Sequence, residues 1–538
     1  MSITSFQFLA FALITFIVYN VFPQKHKWVV LLAASAVFYI SFSPWGILFL
    51  IATALIAFFS AKQIQKVKDA ESAWILENKR KVDKETRKAK KDAFKKQRNL
   101  WVVLTVAVSI GTLFMCKYYG ALAGSVNHVW GTAFWTAENI ILPLGISYYS
   151  LQLIGYVIDV SRDIIPAEKN PLKVVLYGMF FLSIMQGPFN RYNDLMPQIC
   201  EQDRPKLSYQ RLKLAVLKIA WGYVKKMCIA DQVGRIAGEV FSNYTNYSGL
   251  AVLLGIFCFA VQLYADFSGY MDIVLGIGEL FGLKLPENFR QPFFARNISE
   301  FWRRWHISLG LWLQDYVFYP LLKSGVFKKL GKSITNKMGK EAGRRIPTYL
   351  GMLILWTLIG TWHGADFNYI FSVGLLQFLY VFIADITMPL SEKVKKKLHI
   401  KESNIFWHIF QSLRCTALMM FAWVFFNSKT FMDAIRLLGR LFCSNFLSLS
   451  NLMWIFYSPE STMNGQTEVI WLGFILCAVI VLLIVDFCHE RNIAIRKGLM
   501  SKIYPIRMIL YLALVFALLV FGAYGDDYVA GNFIYFEF

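Results

Sequence analysis

Charge is what this chain has least of: 17% of its 538 residues are Asp, Glu, Lys or Arg, where soluble domains carry about 25%. With 57% hydrophobic residues and a mean hydropathy of +0.46, that deficit excludes an ordinary soluble domain. Cysteine is thinly scattered. None of the eight cysteines forms a CxxC pair, so neither a disulfide framework nor a zinc site is expected, and the expected metal content is none. Most of them sit in apolar runs, where a thiol behaves as a small hydrophobe. There is no GxSxG elbow and no glycine-rich P-loop, which argues against hydrolase and ATPase chemistry. Strong internal repeats are also lacking, so a transporter built from repeated halves gains no support. Met1 to Asn20 has no basic flank of the secretory-signal type, and the first apolar run is expected to remain as a helix.

What the chain does have is apolar length. A spanning helix takes about 20 predominantly apolar residues, and roughly ten to thirteen such segments can be placed. The expected fold is an all-α polytopic membrane protein, with re-entrant or interfacial helices around a central tunnel. The net charge of +22 gathers in loops. It is densest between Lys62 and Arg98, where "KRKVDKETRKAKKDAFKKQR" reads as a solvated helical or disordered arm. The positive-inside rule assigns this arm to the cytoplasm, with the stretches near Lys323–Arg345, Lys393–Lys401 and Arg491–Arg507. Three spans precede the arm (Phe6–Phe22, Trp28–Phe42 and Ile47–Ala61), and one, Met508–Ala523, follows the last basic loop. Both termini are then expected outside a cytoplasmic membrane, and the number of spans is even. The implied organisation is N-terminal spans over residues 1–61, the basic arm over 62–100, a core over 101–430, and C-terminal spans with an aromatic tail over 431–538. Basic loops can also attract an anionic donor, but topology accounts for most of this charge.

Three middle segments depart from simple spans. Pro143 and Gly145 break the start of "LPLGISYYSLQLIGYVIDV" (Leu142–Val160). Gly187, Pro188 and Arg191 interrupt "FLSIMQGPFNRYNDLMPQI" (Phe181–Ile199). Asp266, Ser268, Gly269 and Asp272 fall inside the apolar run of Gln262–Phe293. Irregular backbone and carboxylates survive at membrane depth where protein shields them or a wet cavity receives them. Any one segment can be a kinked helix; the three together point to helices around a buried polar tunnel, some re-entrant.

Of seven histidines, five are economically placed at surfaces or interfaces: His26, His128, His399, His408 and His489. His128 is expected in an outer loop. His306, in "EFWRRWHISLG", and His363, in "TWHGA", remain. A lone histidine in apolar sequence is more often structural than catalytic. Burial disfavours the imidazolium, however, and a neutral imidazole can take a proton from a hydroxyl. Gly364 allows close approach of backbone or ligand, and Trp362 supplies an apolar wall that excludes water. A general base acting on a hydroxyl with an activated acyl donor needs neither metal nor ATP, so acyl transfer from a thioester fits.

Five stretches, "LPLGISYY", "QGPFNRYNDLMPQ", "DFSGYMDIVLGIGELFGLKLPENFRQPF", "SEFWRRWHISLGLWLQDYVFYPL" and "TWHGA", closely resemble the membrane-bound O-acyltransferase family, in its alginate O-acetyltransferase branch. "FAWVFFNS" and the terminal "FIYFEF" resemble downstream motifs of that branch, so the likeness runs in order over nearly the whole chain. The resemblance implies helices around a tunnel open to both faces and transfer from a cytoplasmic thioester, acetyl-CoA, towards an extracytoplasmic polysaccharide. It implies His363 as the catalytic histidine and His306 as a second catalytic position that orients substrate or assists the base. Asp266, Ser268, Trp302, Trp305, Asp315 and Trp362 are expected to line the tunnel or position substrate; the tryptophans and arginines of "EFWRRWHISLG" would anchor an amphipathic helix near the cytoplasmic mouth, with Arg303 and Arg304 facing lipid phosphates as the plainer alternative. An extracytoplasmic SGNH-like transferase is the implied partner. Many relatives carry a histidine where this chain has Gln377. "LQDYVFYPL" lies between the acetyltransferase pattern and that of D-alanyl transferases acting on teichoic acid, which stays an alternative. A transporter of acyl donor or polysaccharide is the competing class. Tyr535, in "FIYFEF", is a candidate acyl relay, because a phenol near a base can carry the group in two steps; an interfacial aromatic anchor is the plainer reading.

Overall fold

The computed structural model describes residues 1–79, 81–131, 143–200, 208–364, 366–442, 446–448 and 468–523. Tyr535 and the rest of "FIYFEF" lie outside the described residues. Helices dominate, and among the described residues the β-type pairing is one isolated bridge, Phe289 with Trp305. Seven helices among them are long and apolar enough to cross a membrane, so the protein is multi-pass. Other apolar runs form helices of 16 residues, Phe6–Val21, Lys27–Phe42 and Ile146–Ser161, shorter than the ~20 residues of a simple span. Counting apolar runs therefore gives a larger number than counting long helices.

The chain folds as two compact units, Met1–Leu212 with Ile277–Pro286, and Lys213–Gly276 with Glu287–Phe538. In the first, the basic segment takes the helical of its two expected forms. It is the ends of two long helices, Gly46–Glu77 and Lys84–Trp130, which run unbroken through residues 61 and 100. Asp83 starts the second by accepting hydrogen bonds from the backbone N–H of Glu85 and Thr86, and Arg98 pairs with Glu71 at 3.2 Å across the hairpin. His128, expected in a loop, still belongs to this helix. The break at Pro143 and Gly145 is real: the next helix begins at Ile146, and Gly145 sits at φ 64°, where a Cβ would meet the Ile184 carbonyl oxygen at 1.9 Å. Phe181–Ile199 is likewise broken, with turns to Gln186, irregular backbone to Arg191, and a helix again from Tyr192. Its polar groups pair internally: Asn190 Nδ2 donates to Ser183 Oγ at 2.6 Å, and the Tyr177 hydroxyl to the Asn190 carbonyl at 2.7 Å.

Gln262–Phe293 departs from a simple span after its carboxylates: it is helical as far as Leu280 and irregular beyond. Helix Gly249–Leu280 passes through Asp266 and Asp272 without interruption. Helix Tyr209–Tyr223 packs against it backbone to backbone: a Cβ on Gly222 would meet the Gly269 oxygen at 2.7 Å, and one on Gly269 would meet the Gly222 oxygen at 2.8 Å. Small residues permit such approach within membranes. A wide π-type turn, Val224–Ala230, follows directly and delivers two lysines to the carboxylates. Lys226 pairs with Asp266 at 2.7 Å and with Asp231 at 2.9 Å, and Lys225 with Asp272 at 2.6 Å. The polar side chains are neutralised by a neighbouring element, so the backbone has no reason to break.

Candidate active site

Two helices of the second unit form the hairpin that carries His363. Lys340–His363 rises to the turn, and Phe367–Lys397 returns from it. Glycines bring the arms together: a Cβ on Gly360 would meet Ile370 Cα at 2.7 Å, and one on Gly374 would meet the Trp356 oxygen at 3.0 Å. His363 is the last helical residue and is 4% exposed. Gly364 follows in extended backbone, φ −173°, so its requirement for glycine is spatial. A Cβ there would lie 2.2 Å from the Tyr369 ring. The close approach expected at Gly364 is therefore made by the tyrosine side chain.

His306 is held by a different device. It links two short helices, Ile298–Arg304 and Ile307–Leu313, in the left-handed region at φ 47°, ψ 48°. That conformation is uncommon for a residue with a Cβ and persists where its surroundings determine it. Here the surroundings are Asn288–Arg290. Arg290 N–H donates to the Arg304 carbonyl at 3.0 Å, Ile307 N–H to the Asn288 carbonyl at 3.2 Å, and Ser308 N–H to Asn288 Oδ1 at 2.9 Å. The kink turns the imidazole inward, 3% exposed, edge-on to Phe267 at 4.8 Å between ring centres.

The two imidazoles share one cavity of about 450 Å³, with Trp302, Trp305 and Trp356 in its wall. Trp362 stands beside both, its ring centre 4.9 Å from that of His363 and 6.3 Å from that of His306. Trp302 Nε1 donates to Gln377 Oε1 at 3.1 Å, and Gln377 Nε2 donates to the Ser372 carbonyl at 2.9 Å. The glutamine at the position of the relatives' histidine thus fixes a tryptophan of the cavity wall. Arg303 lines the same cavity. Arg304, for which lipid phosphates were the plainer alternative, pairs with Glu300 at 2.7 Å and Glu490 at 2.6 Å.

Of the expected tunnel residues, Trp302 and Trp305 line this cavity. Asp266 and Ser268 belong instead to the buried ionic cluster, Ser268 Oγ accepting from Lys225 Nζ at 3.0 Å. Asp315 lies in the wide turn Gln314–Phe318, where the cavity wall is made by Gln314 and Phe318. Sequence reading missed Asn288, Lys225, Lys226 and Phe426. The adjacent lysines of "GYVKKMCIADQ" were a signal for the second and third, since two cations in apolar sequence require counter-charges. No group of three or more His, Cys, Asp or Glu side chains among the described residues could hold a metal ion. An aromatic-walled chamber with two buried imidazoles can exclude bulk water and pass a proton.

The model of the "MBOAT, membrane-bound O-acyltransferase family" matches residues 37–335, more than half the chain, including His306 and stopping short of His363. A "probable alginate O-acetylase" of Pseudomonas aeruginosa is 34% identical over 273 residues, 50% of this chain and 48% of that one. A peptidoglycan O-acetyltransferase of Helicobacter pylori is 27% identical over 427 residues, 73% of this chain and 75% of that one. A teichoic acid D-alanyltransferase of Bacillus subtilis is 29% identical over 342 residues, 63% and 81% respectively. The match spans about half the length of the Pseudomonas protein. Family model, multi-pass helical architecture and motif order agree: the protein belongs to the membrane-bound O-acyltransferase family.

Proposed function

We propose that the chain is a membrane-embedded O-acetyltransferase that draws an acetyl group from cytoplasmic acetyl-CoA and delivers it for O-acetylation of an extracytoplasmic polysaccharide. The observation that carries this reading is the pairing of His306 and His363 on one aromatic-walled cavity. The thioester occupies that cavity. His363 takes the proton of an acceptor hydroxyl as its oxygen attacks the thioester carbonyl. A C–O bond forms, the C–S bond breaks, and the proton passes to the departing thiolate. His306, on the same cavity, orients the thioester. Relatives named as alginate O-acetylase and peptidoglycan O-acetyltransferase support acetyl as the group and a glycan as its destination. The basic stretches before helices Lys340–His363 and Ile405–Asn427 support a cytoplasmic membrane with the donor on their side.

The delivery partner in this reading is an extracytoplasmic SGNH-like transferase, with Tyr535 as the intermediate acyl carrier. A second reading, D-alanyl transfer from a carrier-protein thioester, is favoured by the 81% coverage of the B. subtilis D-alanyltransferase. The test uses native membrane vesicles supplied with acetyl-CoA labelled in the acetyl group. Label is expected in polymer, and His363→Ala is expected to lower it by about 10²–10⁴-fold, the range of general-base catalysis. Undiminished labelling by a folded variant refutes the role of His363. Label only from a D-alanyl thioester replaces the acetyl reading with the second one.

A further inference from the structure

A second cavity, of about 330 Å³, lies against the back of the catalytic histidine's surroundings and is lined with polar groups, among them Gln262, Asp366, Asn368 and Lys429. Three of its lining residues, Phe259, Tyr369 and Phe426, are aromatic, and the last two stand on the side of His363. The Phe426 ring centre is 5.8 Å from that of His363, edge-on at 84°. Tyr369 meets Phe426 at 5.4 Å and 78°, and it fills the space left by the missing Cβ of Gly364. His363 itself lines only the aromatic-walled cavity of the two. The polar cavity sits where helices Lys340–His363 and Ile405–Asn427 end, away from the basic stretches that precede them.

We propose that the Phe426–Tyr369 pair is a water barrier that makes the protein a transferase rather than a thioesterase. The inference rests on the acyl-transfer reading and adds to it the element that decides which nucleophile reaches the thioester. The chemistry makes such an element necessary. A water molecule at the acceptor's place reacts with the same balance: its oxygen bonds to the carbonyl carbon, the C–S bond breaks, and its proton travels through His363 to the thiolate. The products are acetate and free thiol. The imidazole cannot tell a hydroxyl from water, so selection must come from access. Polar groups in the second cavity hold water. The Phe426 ring, only 2% exposed, presents no hydrogen-bonding atom to the imidazole, and Tyr369 packs edge-to-face behind it.

The experiment follows the fate of the label in the same vesicles, as polymer-bound acetyl and as free acetate, with free thiol measured in parallel. Phe426→Ala removes the ring that stands between the polar cavity and His363. It is expected to raise acetate and thiol release in the absence of polymer on the order of tenfold, while polymer labelling falls. Phe426→Met refills the space with apolar atoms and is expected to restore dependence on polymer. The double variant His363→Ala/Phe426→Ala is expected to return to background, because water is activated by the same imidazole. Each variant is compared at equal amounts of monodisperse protein; should Phe426→Ala not accumulate, Tyr369→Leu opens the same wall. Wild-type polymer labelling with unchanged acetate release from the folded wall variant overturns the barrier and leaves acyl transfer standing. Equal hydrolysis in the single and double variants also overturns it. A wild type that labels polymer from neither the acetyl nor the D-alanyl thioester refutes acyl transfer, and the barrier falls with it.

Discussion

Replacing Gly364 by alanine tests how the imidazole is held. The new Cβ would stand 2.2 Å from Tyr369 Cδ2 and 2.6 Å from Cε2, where ordinary contact begins at 3.4 Å. Neither atom is the flexible end of a long chain, so the tyrosine ring or the hairpin turn has to move. The backbone is extended at this residue, so alanine meets no conformational strain and the whole effect is crowding. Overpacking of this kind costs about 1–3 kcal/mol. If the turn yields, His363 moves with it, and a displacement of ~1 Å at a reacting group is worth about 10²-fold in rate. Thermal unfolding in detergent, combined with vesicle labelling, reads both consequences. The cause is isolated by a double-mutant cycle with Tyr369→Ala, which removes the ring that would be struck. In that background Gly364→Ala is expected to cost less than about 0.5 kcal/mol, a strongly non-additive pair. Additive costs would show that the tyrosine is not what demands glycine, and the account of how the hairpin tip is positioned would be wrong.

Two further outcomes follow from named contacts. Lys226→Met leaves Asp266 and Asp231 without the ammonium that lies 2.7 and 2.9 Å from them; stability in detergent is expected to fall by about 3–5 kcal/mol, the cost of breaking a buried pair, and adding Asp266→Asn is expected to recover part of it, whereas a loss within about 0.5 kcal/mol would refute the cluster as a structural tie. Tyr535→Phe keeps an aromatic ring and removes the hydroxyl; polymer labelling is expected to fall to the level of His363→Ala, and normal labelling excludes the relay.

The two cavity histidines were legible in the sequence because both stand beside tryptophans in motifs that resemble those of the family. What brings them together was not legible. His306 reaches the cavity through a left-handed residue whose partners, Asn288 to Arg290, lie on another segment. Nothing local to "RRWHIS" announces that conformation, since the residue is not glycine and the kink is imposed by hydrogen bonds made elsewhere. Phe426 stayed invisible for a different reason. One phenylalanine among 47 carries no signal until its neighbours are known, and its place between an imidazole and a polar cavity is a property of packing alone.

The broken segments show where local reasoning stops. Phe181–Ile199 and Gln262–Phe293 carried the same warning, polar and small residues inside an apolar run, and their backbones break at different places relative to those residues. In the first, the break falls among these residues: 181–191 are not helical, a Cβ on Gly187 would meet the Leu182 carbonyl oxygen at 2.1 Å, and Pro188 offers no N–H. Asn190 then bonds to Ser183 within the segment and to Tyr177 just before it. In the second, no residue between Asp266 and Asp272 breaks a helix, and the carboxylates find lysines from residues 225 and 226, some 40 positions earlier. Proline and tightly packed glycine act through the chain's own geometry and can be read in place. A buried carboxylate acts through whichever charge reaches it, and two neighbouring lysines in an apolar run are themselves a buried charge in need of one. Had the carboxylates of one stretch been matched with the cations of the other, the unbroken helix and its ionic tie would have followed from the sequence.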